Sequence, residues 1–196
     1  PYWLLVSGGK FDYTIKWWSH DRYQQVVDHF RGRLLFVQVG ENHHNHPAVD
    51  GAVDLRGRTS HRELIRLMYH AEGALSAVSF LMHLAAAVEV KPGMPLNRPC
   101  VVVAGGREPP HFTAYPHHQY IHTVGALRCC DNGGCWKSRT LPLGDGDDQP
   151  LEQAAGPAHQ VFMAEGHRVE GARVDRGESG DGGQGAFPSQ CCAAAV

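Results

Sequence analysis

Short apolar runs alternate with amphipathic stretches over the first 128 residues of the chain. The run at residues 34–39 is typical of a strand covered on both faces. Short, mostly apolar segments predict further strands at residues 3–6, 53–55, 74–77 and 100–104. Apolar side chains at helical spacing predict helices over residues 19–30, 59–71 and 80–88. This alternation predicts an α/β fold built on a Rossmann-like, doubly wound parallel sheet.

The pattern ends near residue 142. Residues 143–196 are rich in glycine and in charged and amide side chains, and they show almost no apolar periodicity. Such a composition buries too little apolar surface to offset the entropy lost on ordering, so we expect a disordered or aberrant tail. The sequence thus predicts three parts: a domain at 1–128, a cysteine-rich segment at 129–142, and the tail.

Composition narrows the class of protein. The 196 residues carry a formal net charge of −2, which gives no global argument for binding nucleic acid or an acidic membrane surface. No apolar run approaches the roughly 20 residues that span a bilayer. The chain opens on an apolar strand without an initiator methionine, so we expect a fragment that lacks its N-terminal part.

Candidate binding residues follow the ends of the predicted strands, where ligands of doubly wound sheets bind. The first strand is followed by Ser7, Gly8, Gly9 and Lys10, with Lys16 further on. A glycine turn lets the backbone approach a ligand, and nearby lysines can meet phosphate charge. The alternative is a surface turn with solvated lysines.

A second candidate is the start of the helix that follows the predicted strand at 74–77. Its first turn would present free N–H groups and the positive end of the helix dipole to a diphosphate. The residues concerned are Ser79, Phe80, Leu81, Met82 and His83. For His83 alone, a hydrogen-bonded histidine in the core is the alternative.

Charged residues follow two further strands. Arg107 could face phosphate and Glu108 could accept hydrogen bonds from sugar hydroxyls, although a surface ion pair in a turn is equally consistent with the sequence. Glu41 comes directly after a glycine that ends a strand, which makes it a candidate for ligand contact. The histidines at 43, 44 and 46 lack the spacing of a helical metal site, so we expect a solvated loop there.

Cys129, Cys130 and Cys135 lie within seven residues, with a Gly-Gly pair between them that allows a tight fold around an ion. A four-thiolate iron or zinc site needs four ligands, and the remaining candidates are Cys191 and Cys192 near the C-terminus. Either one of these completes the site or the site is incomplete. Paired cysteines in an α/β pattern fit a reducing, cytoplasmic compartment better than a disulfide framework.

In order along the chain, these motifs resemble the C-terminal half of a glycosyltransferase family 9 enzyme, the ADP-heptose:lipopolysaccharide heptosyltransferase-like family. The resemblance covers about residues 2–139. It rests on Gly-Gly-Lys with Lys16-Trp17-Trp18, on Leu-Arg-Gly-Arg-Thr-Ser at 55–60 with the Glu63-Leu64 helix, and on Met-His-Leu-Ala-Ala-Ala at 82–87. Gly-Gly-Arg-Glu-Pro and Cys-Cys-x4-Cys-Trp resemble the bacterial subgroup that includes autotransporter heptosyltransferases.

The resemblance implies a GT-B architecture of two Rossmann-like halves, of which this chain is the half that holds the nucleotide-diphospho-sugar donor. Lys16 matches the family lysine that meets the donor phosphates, and Glu41 lies near the place of a glutamate that contacts the nucleoside. The resemblance also implies that Ser7, Gly8 and Gly9 form the phosphate-side loop, and that residues 79–83 cradle the diphosphate.

The implied reaction is inverting transfer of a heptose-like sugar to a lipopolysaccharide core sugar or a protein hydroxyl, in the cytoplasm or at the inner face of the membrane. Two departures matter. Val78-Ser79-Phe80 replaces the family's Asp-Thr-Gly, whose carboxylate ordinarily contacts the donor sugar. The general base belongs to the N-terminal half, so this chain alone is expected to bind donor without completing transfer. No organic cofactor is expected.

Two alternatives stay open. One is a non-catalytic, metal-stabilised interaction module that keeps the Rossmann-like shell; Val78 in place of the carboxylate favours it. The other is a GT-B-shaped sugar-nucleotide epimerase. It would need acid and base residues on the far side of a cleft.

Overall fold

A computed structural model describes residues 1–126, 130 and 133–139. Within them the strands are β1 Tyr2–Val6, β2 Leu35–Gln38, β3 Val53–Asp54, β4 Gly73–Ala77, β5 Cys100–Gly105 and β6 His118–His122. The helices are α1 His20–His29, α2 His61–His70, α3 Phe80–Ala87 and the short α4 Pro110–Thr113, and a 3-10 segment spans Phe11–Lys16. The predicted tail and Cys129 lie outside the described residues.

The six strands form one parallel sheet in the order β3-β2-β1-β4-β5-β6. This is the order of the doubly wound dinucleotide-binding folds. Strands β1 to β3 follow one another toward one side of the sheet. Strand β4 then lies on the other side of β1, and β5 and β6 continue the sheet in that direction. The predicted α/β class, with its Rossmann-like parallel sheet, is confirmed.

The core has two layers because neighbouring strand residues point to opposite faces of the sheet. Leu4 packs on one face with Met68 of α2 and Met82 of α3, and all three are fully buried. Leu5 packs on the other face with Tyr23 and Val27 of α1. Helices therefore cover both faces, and this explains why the strands are apolar without alternation.

Local sequence sets the start of α2. Ser60 is its N-cap, its hydroxyl accepting from the Glu63 backbone N–H at 3.3 Å, while the Glu63 carboxylate accepts from the Ser60 backbone N–H at 2.8 Å. This reciprocal pair satisfies two donors that the first turn leaves free. The predicted helix began two residues earlier, because the cap and the residue before it were counted in it.

Arg98 ties the C-terminal ends of α2 and α3 together. Its buried guanidinium donates to four backbone carbonyls, those of Ala71 at 3.2 Å, Ala85 at 3.1 Å, Val88 at 2.9 Å and Glu89 at 2.9 Å. Carbonyls at helix C-termini lack partners within the helix and carry the negative end of the dipole. They therefore satisfy a buried charge without a carboxylate. Burial lowers the pKa of Arg98.

Candidate functional site

The reversal of strand order lies between β1 and β4, the two central strands. Ligands of such sheets bind outside the carboxyl ends of the strands at this point. Val6 and Ser76 are paired in register, so the turn after β1 and the start of α3 are neighbours at this edge. We take this edge as the candidate site.

The turn after β1 has a backbone that only glycine accommodates at Gly8. Its φ is +97°, and a Cβ added there would lie 2.0 Å from the carbonyl oxygen of Asn45. Gly9 exchanges two backbone hydrogen bonds with Asn45, at 2.9 and 3.0 Å. The predicted glycine turn thus exists, and the loop after β2 fixes its conformation.

Ser7, predicted to line the phosphate side, is part of the scaffold. It is 1% exposed, and its hydroxyl donates to the Pro47 carbonyl at 2.9 Å and accepts from the Gln38 amide at 2.7 Å. His46 Nδ1 lies 3.0 Å from the Ser7 carbonyl oxygen. Burial is the main cause that lowers the pKa of His46. The side chain of Ser7 therefore holds the turn in place and is not free for a ligand.

The 3-10 segment Phe11–Lys16 carries the chain from the end of β1 to the loop after β5. Lys16 Nζ lies 2.8 Å from Glu108 Oε1, and the Ile15 backbone N–H donates to the Ser138 carbonyl at 3.3 Å. β4 lies between β1 and β5 in the sheet. The segment therefore connects the two sides of the strand-order reversal and brings Lys16 to this edge.

Lys16, Arg107 and Glu108, which the sequence suggested separately, form one ionic cluster. Lys16 and Arg107 both pair with Oε1 of Glu108. The Glu108 side chain is 7% exposed, and its Oε2 is buried with no hydrogen-bond partner among the described residues. The ion pair that was the alternative for Arg107 and Glu108 exists, but it is largely buried, since the Arg107 side chain is only 13% exposed. Two cations share one carboxylate, so the cluster keeps a net positive charge.

The N-terminus of α3 has the predicted form. Ser79 is the N-cap, and its hydroxyl accepts from the Leu81 backbone N–H at 3.3 Å. The side chains of Leu81 and Met82 are buried in the core. The cap already binds the Leu81 N–H, so of these two residues only Met82 could offer its backbone N–H to a ligand. Phe80 is 57% exposed and contacts the ring of His61. The chemistry at this point is that of a helix terminus.

Three other predicted residues, His83, Glu41 and Lys10, have no described contact with the ionic cluster. His83 is exposed, and its Nδ1 is 2.9 Å from the Tyr115 hydroxyl, so the alternative of a core histidine is wrong. Glu41 is exposed, with its Oε2 4.0 Å from His44 Nε2. Lys10 is exposed at the start of the 3-10 segment. The roles assigned to these three residues stay predictions.

Only two thiols of the predicted metal site fall within the described residues. Cys130 is buried and donates to the Thr123 carbonyl at 3.4 Å, and Cys135 is half-buried. No three His, Cys, Asp or Glu side chains are grouped as metal ligands in this part of the chain. Two thiols are fewer than the four ligands of an iron or zinc site, and Cys129 is not described. The metal stays a prediction.

Two aromatic residues contribute to this edge, Tyr13, which sequence analysis missed, and Trp17, which it named only as part of the Lys16-Trp17-Trp18 motif. Tyr13 places its ring 5.6 Å from Lys16 Nζ and 5.1 Å from the Arg107 guanidinium, within the range of cation–π contacts. Trp17 has a buried indole N–H without a described hydrogen-bond partner, 3.5 Å from where a Cβ on Gly9 would lie. For Tyr13, its place three residues before Lys16 was the available indication. No described helix is long and apolar enough to cross a membrane.

The chain was compared with protein families, curated proteins and solved structures. No protein-family model and no curated protein matches the chain. One solved structure that matches is described as the crystal structure of the glycosyl transferase family 9 from Veillonella parvula DSM 2008, with 16% sequence identity and a TM-score of 0.49. The match covers 83% of this chain and 46% of that protein, so the chain spans about half of its length. A likeness at this level carries no argument about function.

Proposed function

We propose that this chain is the donor-binding half of an inverting GT-B glycosyltransferase that transfers a heptose-like sugar from a nucleotide diphosphate. The acceptor would be a lipopolysaccharide core sugar or a protein hydroxyl. One observation carries the proposal. Lys16, which follows β1 in the 3-10 segment, and Arg107, which follows β5, both pair with Glu108, at the same edge of the sheet as the glycine turn and the N-terminus of α3. This is a positively charged edge where doubly wound sheets bind ligands.

The proposed contribution to catalysis is electrostatic. The acceptor oxygen attacks the anomeric carbon while the bond from that carbon to the diphosphate oxygen breaks. The electron pair leaves with the diphosphate, where negative charge grows. Lys16 and the α3 amides would stabilise that charge. By the family resemblance, the base that takes the acceptor proton lies in the other half, so this half alone binds without transfer.

Isothermal titration calorimetry with ADP and with ADP-heptose tests the proposal. We expect both to bind, and Lys16→Ala to weaken binding about 10- to 100-fold, the loss of one charge-assisted hydrogen bond. Lys91→Ala is the matched control, because Lys91 follows the opposite end of α3 and loses the same charge. Equal affinity of the wild type and Lys16→Ala would refute the role of Lys16.

A specific observation favours a second candidate, the non-catalytic metal-stabilised interaction module. Glu108 already pairs with both Lys16 and Arg107, so a structural role accounts for these charges without a ligand. Nucleotide binding separates the two candidates. A folded chain that binds neither ADP nor ADP-heptose would support the module.

A further inference from the structure

Residues 133–139, which we call the strap, join the two loops that carry the ionic cluster. The backbone N–H of Cys135 donates to the Gly106 carbonyl at 3.1 Å, and that of Trp136 donates to the Arg107 carbonyl at 3.1 Å. On the other side, the Ser138 carbonyl accepts from the Ile15 N–H at 3.3 Å. The strap thus connects the residue before Lys16 to the residues before Glu108.

The strap also holds the Arg107 side chain. Arg107 Nε donates to the Lys137 carbonyl at 2.8 Å, and its guanidinium lies 5.7 Å from the Trp136 ring. Together with the Tyr13 ring and Glu108, these contacts fix the guanidinium plane. Nε and Nη1 are therefore held by the protein, Nε by the Lys137 carbonyl and Nη1 by Glu108.

The strap's own backbone is adapted to this contact. A Cβ added at Gly134 would lie 2.6 Å from the Arg107 carbonyl oxygen, so only glycine allows the close approach. Trp136 has a φ of +55°, the single positive φ of a non-glycine residue in the described part of the chain. Such a conformation is disfavoured for a bulky residue and persists where surrounding contacts impose it. Here the ring contacts Arg107 and Phe112.

We infer that the strap is a positioning element of the anion site, an inference that rests on the proposed function. It holds Arg107 so that Arg107 and Lys16 bind the same diphosphate together. The cysteine-rich segment then does more than carry thiols. Trp136 is a positioning residue, since it acts on the ligand through Arg107.

A double-mutant cycle on ADP affinity, measured by calorimetry, tests this role. We expect Trp136→Ala and Arg107→Gln each to weaken ADP binding about tenfold, and the double variant to bind no more weakly than Arg107→Gln. A purely structural role would instead give Trp136→Ala the same loss in both backgrounds, and that result would overturn the inference. Trp136→Phe keeps an aromatic face and should restore most of the affinity.

Failure of the proposed function is distinguishable from failure of the inference. A folded wild-type chain that binds neither ADP nor inorganic pyrophosphate overturns both. Wild-type binding combined with additive losses overturns the inference alone. Where Trp136→Ala does not fold by circular dichroism, Trp136→Leu in the same two backgrounds takes its place, with the same criteria.

Discussion

Glu108 is the central residue of the candidate site, because both Lys16 and Arg107 pair with it. A carboxylate that is 7% exposed is costly to bury, and two cations on one of its oxygens offset that cost. The other oxygen is buried without a partner among the described residues, whereas most buried polar atoms in native proteins are hydrogen-bonded. Sequence analysis named Lys16 after the first strand and Glu108 after the strand at 100–104 but could not pair them, because their contact depends on the path of an irregular segment.

Gly8 offers a residue-scale prediction about the turn after β1. Gly8→Ala should lower the free energy of unfolding by about 2 kcal/mol or more, because it adds a disfavoured positive φ and a clash with the Asn45 carbonyl. Gly32→Ala is the matched control, since Gly32 has a φ of +76° with nothing within 4 Å of an added Cβ. Urea unfolding of both variants measures the difference. Equal losses would show that the contact with Asn45 does not constrain the turn.

At the scale of elements, most of the strands that sequence analysis found are buried, and the exception is β3, an edge strand whose two residues are exposed. The interior strands β1, β4 and β5 have mostly buried residues, and such burial demands apolar runs. β6 was missed because it is an edge strand with the sequence His-Gln-Tyr-Ile-His, and three of its five residues are exposed. The 3-10 segment was missed because it has neither a helical nor a strand period, yet it delivers Lys16 to the site.

Arg98 should make a large contribution to the packing of α2 and α3. Arg98→Met should destabilise the chain by about 3 kcal/mol, since it removes four hydrogen bonds and leaves helix-end carbonyls of α2 and α3 buried without partners. Arg98→Lys should recover only part of the lost stability. Its ammonium keeps the charge but cannot reach all the carbonyls that the planar guanidinium binds. Chemical denaturation measures both. Arg66→Met, an exposed arginine on α2, is the control, and an equal loss there would contradict the role of Arg98.

At the scale of the whole molecule, the two edges of the sheet differ in chemistry. The carboxyl edge collects Lys16, Arg107 and the α3 terminus, whereas His118 starts β6 at the opposite edge, paired with Cys100 at the start of β5. His118 is 9% exposed, and neither ring nitrogen has a described hydrogen-bond partner. Burial, with smaller contributions from the nearby His117 and His83, lowers the pKa of His118 to about 4.

His118 therefore links the stability of the domain to pH. Its folded pKa of about 4 lies below the value near 6.5 of an unfolded histidine, so the unfolded state takes up the proton first as pH falls. The free energy of unfolding should be undiminished above about pH 6.5 and fall between there and pH 4, by on the order of 2–3 kcal/mol.

Urea denaturation across this pH range, compared between the wild type and His118→Phe, isolates the contribution. His118→Phe keeps an aromatic ring in the buried position but cannot take up a proton, so the pH slope should flatten in this variant. His122→Phe, at the exposed end of the same strand, should leave the slope unchanged. Because carboxylates also titrate in this window, the difference between the two variants is the decisive quantity. If the free energy of unfolding had the same pH slope in the wild type and in His118→Phe, protonation of His118 would not limit the acid stability of the domain.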